Sequence, residues 1–178
     1  MNALLAFYVG GAPDARGRLL AEITRQDDDW LEMTHDYIQW LFPLEEPSRV
    51  TPWAPTVTRE VREAFHQDEL LRRHLKVSFL RMLRFYGLAY RDGQIAQGTN
   101  WQERKHDWFT EPTHNNLRIT RILKSLALLG LRPLAEDFLG ALDSLRVTEP
   151  DCGVGEKAFR YWRAALVPEA PSPCKQKR

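Results

Sequence analysis

The chain has 178 residues, 43% of them hydrophobic and 28% charged, with a net charge of +1 and a mean hydropathy of −0.46. That length suits one globular domain with a single core, and no apolar run approaches the roughly 20 residues that cross a bilayer. Cys152 and Cys174 are the two cysteines, with no CxxC or Cys/His cluster at zinc spacing. No disulfide and no structural metal are therefore expected, and the default setting is reducing and cytoplasmic.

The small net charge conceals a segregation. Eight acids (Glu22, Asp27, Asp28, Asp29, Glu32, Asp36, Glu45, Glu46) stand against Arg25 alone between positions 22 and 46. Eight bases (Arg59, Arg62, Arg72, Arg73, Lys76, Arg81, Arg84, Arg91) stand against four acids between 59 and 91. The two segments either face one another as ordinary helix surfaces or leave a basic groove for an acidic partner.

In chain order, the apolar run 3–9 has no preceding Lys or Arg and lies at the short limit for a secretory leader, so secretion is not expected. Pro13 suits the first turn of a helix whose stripe is Leu19, Leu20 and Ile23. Asp27, Asp28 and Asp29 supply acidic caps for a second helix over 28–42, stopped by Pro43. Four prolines between 43 and 57 predict an extended surface loop, tacked to the core by Trp53. Thr58 caps a short helix carrying Val61, Ala64 and Phe65, and Asp68 caps a longer one with core face Leu71, Leu75, Phe79, Met82 and Tyr86. Asp92-Gly93 is a hairpin turn signal, because both positions tolerate positive φ.

Thr99 with Gln102 matches a capping box ahead of a helix carrying Trp101, Lys105 and Trp108. Pro112 opens the next helix, with face Ile119, Ile122, Leu123 and Leu126 and a stop at Gly130. Pro133 opens another, bearing Leu134, Phe138, Leu142 and Leu145, and a last helix over 155–167 presents Phe159 and Trp162. The fold expected is all-α, a compact multi-helix single domain over 1–167, with at most one small β-hairpin near residues 89–96 and a flexible tail at 168–178. Neither an internal repeat nor a coiled-coil heptad is present.

Two stretches carry candidate chemistry. In the first, Leu31, His35, Ile38 and Phe42 share a helical stripe, which places His35 on or beside the buried face. Its imidazole is a ligand-binding or acid/base group, or else a hydrogen-bonded core histidine; Tyr37, Gln39 and Trp40 flank it as walls of a site or as packing. In the second, His114, Arg118, Arg121 and Ser125 recur at i, i+4, i+7 and i+11 on one face. They stand near a helix start that favours anions, so the two guanidiniums are suited to a carboxylate or phosphate. The alternative is that Arg118 and Arg121 pair with the acids between 27 and 36 and staple two helices together. Asn115 and Asn116 solvate the first turn, or Asn115 joins the site.

Other chemistries have weaker support. The doublets His35-Asp36 and His106-Asp107 would need a further His and Asp converging on a metal. No G-x-S-x-G elbow or phosphate loop is present. Trp101, Arg104, Lys105 and Trp108 have the composition of a nucleobase stack, yet an amphipathic helix docking two tryptophans in the core accounts for them more simply, and nucleic acid is not expected as a partner.

HDYIQWLFPL (35–44) and HNNLRITRIL (114–123), with FYGL (85–88), FYVGGAPDARGR (7–18) and LGL (129–131), resemble the conserved domain of the opioid growth factor receptor family, over roughly residues 7–142. The resemblance implies a helical domain whose animal relatives are receptors for methionine-enkephalin, associated with the nucleus and with restraint of proliferation. A short, microbial, single-domain member is expected. The reading for this chain is a non-enzymatic domain, with no cofactor, that takes a small peptide or anionic small molecule between the His35 and His114 segments. The alternatives are a His-based or metal-dependent enzyme acting on a phosphorylated or nucleotide substrate, and a scaffold offering the 43–57 loop to a protein.

Overall fold

The computed structural model describes residues 2–110 and 112–167. Among them ten helices run in the order α1 (Ala3–Tyr8), α2 (Leu20–Ile23), α3 (Asp28–Met33), α4 (Ile38–Leu41), α5 (Arg59–Gln67), α6 (Glu69–Phe85), α7 (Trp101–Trp108), α8 (His114–Leu128), α9 (Arg132–Thr148) and α10 (Glu156–Ala164). Between α6 and α7 lies one antiparallel hairpin, β1 (Leu88–Arg91) with β2 (Gln94–Gln97). Its turn is Asp92-Gly93 at φ 51° and 81°, as the dipeptide demands. The protein is all-α with this single ribbon.

One continuous apolar core runs from Leu4 to Leu166. The long helix α6 contributes Leu71, Leu75, Phe79 and Met82 and packs on α1, α5 and β1, while α8 and α9 form a helical hairpin closed by α10. Thr58 and Asp68 cap α5 and α6 through their side chains, as their positions predict. Gly130, at φ 87°, follows the end of α8. Trp101, Trp108 and Trp162 are fully buried, so the tryptophans of α7 are core residues. No helix is long and apolar enough to cross a membrane among the described residues.

Five expectations are corrected. The run 3–9 is a core helix, with Leu4, Phe7 and Tyr8 buried, whereas Pro13 opens nothing. The buried Asp14 carboxylate instead accepts from the backbone N–H groups of Arg16 and Arg18 at 2.8 and 2.9 Å, and such side-chain capture favours a turn over a helix. The expected helix over 28–42 is two short helices, because Thr34 is extended at ψ 133°. Trp53 is 61% exposed, and the 43–57 loop is anchored by Thr51, Ala54 and Val57. The Thr99–Gln102 capping box does not form. Asn100 takes the N-cap position but spends its amide on the Arg84 carbonyl at 2.9 Å. Finally, Thr113 rather than Pro112 starts α8, accepting from the Asn115 N–H.

The tail assigned to 168–178, with Cys174, lies outside the described residues; Cys152 packs half-buried against the core.

A cationic pocket between the His35 turn and helix α8

The break at Thr34 decides the site. It turns His35 out of the helical stripe into an exposed position between α3 and α4, where its ring lies 4.9 Å from that of His114. The break and the end of α4 leave backbone carbonyls without helical partners, and one face of α8 collects them. Arg118 Nη2 donates to Thr34 O at 2.8 Å and Glu32 O at 3.4 Å. Arg121 Nη1 donates to Phe42 O at 3.1 Å, and Ser125 Oγ to Pro43 O at 2.9 Å. The stripe does staple two segments, but through carbonyls of residues 32–43 more than through the acids between 27 and 36.

Behind the stripe a polar knot is sealed. Arg118 is only 4% exposed, with Nη1 on Asn115 Oδ1 at 3.2 Å and 3.9 Å from Glu32 Oε2. Asn115 Nδ2 donates to both Glu32 oxygens, at 3.4 and 3.1 Å, and His114 Nε2 lies 3.1 Å from Glu32 Oε1. Partial burial, then the nearby Arg118 and His35, hold the His114 pKa below 6.5 against the pull of Glu32. Asn115 and Asn116 are buried, which corrects the expectation that they solvate the first turn.

In front of the stripe is a pocket of about 320 Å³, bordered by His35, Ile38, Gln39, His114, Arg118 and Arg121 among others. The side chains brought together are thus His35, Gln39, His114, Arg118 and Arg121. Gln39 is held rigidly: in the amide orientation that satisfies both ends, its nitrogen faces the His35 and Asp36 carbonyls and its oxygen accepts from Thr51 Oγ1. Tyr37, Trp40 and Asn115 do not reach it. Tyr37 is fully buried, its Oη on Leu31 O at 3.1 Å and its pKa pushed up to about 12 by burial. Trp40 packs edge-on against Phe7 at 5.2 Å.

Leu44, Ser48, Arg49, Val50, Leu117, Thr120 and Lys124 complete the wall. Leu117 and Lys124 extend the α8 rows at i+3 and were legible by spacing; the loop residues carry no local signal, since only the fold of the 43–57 loop brings them here.

Among the described residues no Asp or Glu lines this pocket, whereas Arg49, Arg118, Arg121 and Lys124 do. Lys124 approaches Glu46 at 3.9 Å. Arg121 has no carboxylate within ion-pairing distance among the described residues, and desolvation holds its half-buried guanidinium below its ordinary pKa against the more distant pull of Glu46. A guanidinium carries five N–H donors, and one of them meets Phe42.

The motifs that shape this wall also fix kinship. Residues 6–167 match the family described as the opioid growth factor receptor conserved region. The chain belongs to that family. It is 45% identical to the opioid growth factor receptor of Mus musculus over 152 residues, 78% of this chain and 24% of that protein. To the Rattus norvegicus receptor it is 42% identical over 167 residues, 85% of this chain and 28% of that one. It is 44% identical to opioid growth factor receptor-like protein 1 of Rattus norvegicus over 106 residues, 58% of this chain and 22% of that one. The chain therefore spans about a quarter of the length of the relatives it matches. No solved structure matches it.

Neither His-Asp doublet gathers a set of metal ligands among the described residues. No three His, Cys, Asp or Glu side chains converge in metal-binding geometry among the described residues, and Asp107 is paired with Arg104 at 2.8 Å.

Proposed function

We propose that this member of the opioid growth factor receptor family is a non-enzymatic binding module whose pocket holds the anionic group of a small peptide or other small ligand. The observation that carries the reading is Arg121: a half-buried cation with no carboxylate within ion-pairing distance among the described residues, drawn only by the more distant Glu46, in a wall whose described lining has four bases and no acid. Such a site is poised for an anion, since a desolvated guanidinium gains most from a charged acceptor. Arg118 would act at the floor, positioning the turn that carries His35, while Gln39 and Ile38 give the walls. The relatives' name, a receptor for an opioid growth factor, agrees with ligand binding as a class. We place the module in the cytoplasm on its sparing use of cysteine.

The test is calorimetric titration of the intact chain with inorganic phosphate and with a blocked diglutamate peptide, beside Arg121→Gln. Binding that disappears in the variant at an unchanged melting temperature supports the proposal. Binding of either anion that survives the substitution, or no binding of either to the wild type, rejects it.

A further inference from the structure

The cationic pocket does not end at His35. A second hollow of about 390 Å³ opens on the other side of that ring, lined by Met33, Thr34, His35, Asp36, Val50, Thr51 and Trp53. His35 and Val50 border both spaces, so the two hollows adjoin across a shared ridge. The character changes across the ridge. Met33, Val50 and Trp53 are 79%, 71% and 61% exposed, three large apolar side chains from α3 and the 43–57 loop placed around one depression. Scattered apolar residues on a surface need no explanation, but a gathered set does. The acid on this side, Asp36, is engaged by Arg16 at 3.0 Å and Arg18 at 2.9 Å.

Resting on the anion-binding reading, we infer that the occupant of the two adjoining hollows is an extended peptide segment with a carboxylate beside a bulky apolar side chain. The carboxylate meets Arg121, with Lys124 and Arg49 adding field, and the apolar side chain lies on Met33, Val50 and Trp53. Complementarity in charge selects the first half, and the adjacency of the two hollows across His35 and Val50 selects a ligand that reaches both. A free phosphate or a lone dicarboxylate fills one hollow and leaves the apolar shelf wet. An extended chain advances about 3.3 Å per residue, so adjacent side chains can straddle a single imidazole. Exposed Trp and Met are suited to such work, since rigid aromatic and adaptable thioether surfaces dominate peptide-anchoring contacts.

The experiment titrates N-acetylated, C-amidated Gly-Phe-Asp-Gly and Gly-Asp-Phe-Gly into the intact protein, each with a Phe-to-Ala and an Asp-to-Asn control. Gly-Gly-Phe with a free C-terminus and its amide form a further arm, which tells a terminal carboxylate from a side-chain one. The wild type should lose about tenfold in affinity, or some 1.4 kcal/mol, for each control. Trp53→Ala should lose the preference for Phe over Ala but keep that for Asp over Asn, and Arg121→Gln should do the reverse. Trp53 is largely exposed, so its replacement leaves the fold intact. Equal affinity for the Phe and Ala peptides overturns the inference. In that outcome a persisting Arg121-dependent preference for Asp leaves the anion site standing, and its absence removes both.

Discussion

Arg118 and Arg121 lie one turn apart on α8 and differ in what their N–H groups meet. Arg118 is sealed among Asn115, Glu32 and two carbonyls, so Arg118→Ala takes the donor from the Glu32 and Thr34 carbonyls and from Asn115 Oδ1 and costs about 3 kcal/mol, read as a lowered denaturation midpoint. Arg121→Gln gives up one carbonyl contact at a half-exposed position and should change stability by less than about 1 kcal/mol. An equal loss for the two variants would contradict this division of labour. His114 supplies a pH signature. Its folded pKa is depressed below 6.5, chiefly by burial, so the unfolded chain binds the proton more readily. Its contribution is complete above pH 6.5 and falls away as the pH drops from there through the folded value. Melting temperature measured between pH 7.5 and 5 should decline for the wild type more than for His114→Gln; parallel curves would refute the assignment.

Elements formed where local chemistry and packing agreed. Helix α6, with its Asp68 cap and three-to-four-residue apolar period, and the Asp92-Gly93 hairpin are legible because their causes lie within a few residues. The helix expected over 28–42 fails at Thr34 for the opposite reason: Arg118, which takes up the Glu32 and Thr34 carbonyls that the break frees, arrives from α8. The FYGL motif acquires a physical cause here. Gly87 has φ 77°, and a Cβ there would sit 2.8 Å from Trp101 Cα, backbone that cannot yield as a flexible side chain does. Gly87→Ala should cost about 3 kcal/mol or more through strain and displacement of α7, and a denaturation midpoint within error of the wild type would show that α7 moves freely.

At the scale of the whole molecule, α1 is the clearest case of a segment whose role depends on what it touches. Its apolar run packs Phe7 on Trp40 at 5.2 Å and Tyr8 on Phe65 at 4.8 Å, with Tyr8 Oη donating to Leu41 O at 2.6 Å. Removing residues 2–9 exposes the core face of Leu4, Phe7 and Tyr8, worth roughly 6 kcal/mol at 1.5–3 kcal/mol for each buried side chain. That is comparable to the entire stability of an ordinary domain. The shortened chain should lose its cooperative thermal transition in circular dichroism; retention of a sharp transition would mean that α1 is an accessory.

By itself the amino-acid order determined the all-α class, the caps of α5 and α6, the hairpin turn, the apolar faces and the family, because each is written in side-chain period, turn chemistry or uninterrupted motif. It also placed His114, Arg118 and Arg121 on one face of α8. Only the tertiary structure decided that His35 is exposed, that Tyr37, Trp40 and Asn115 are inside, that Arg118 is saturated while Arg121 is not, and that Arg49, Val50 and Trp53 stand beside them. These outcomes depend on which distant carbonyls and carboxylates reach a given side chain, and that is set by packing across more than seventy intervening residues, as from Thr34 to Arg118.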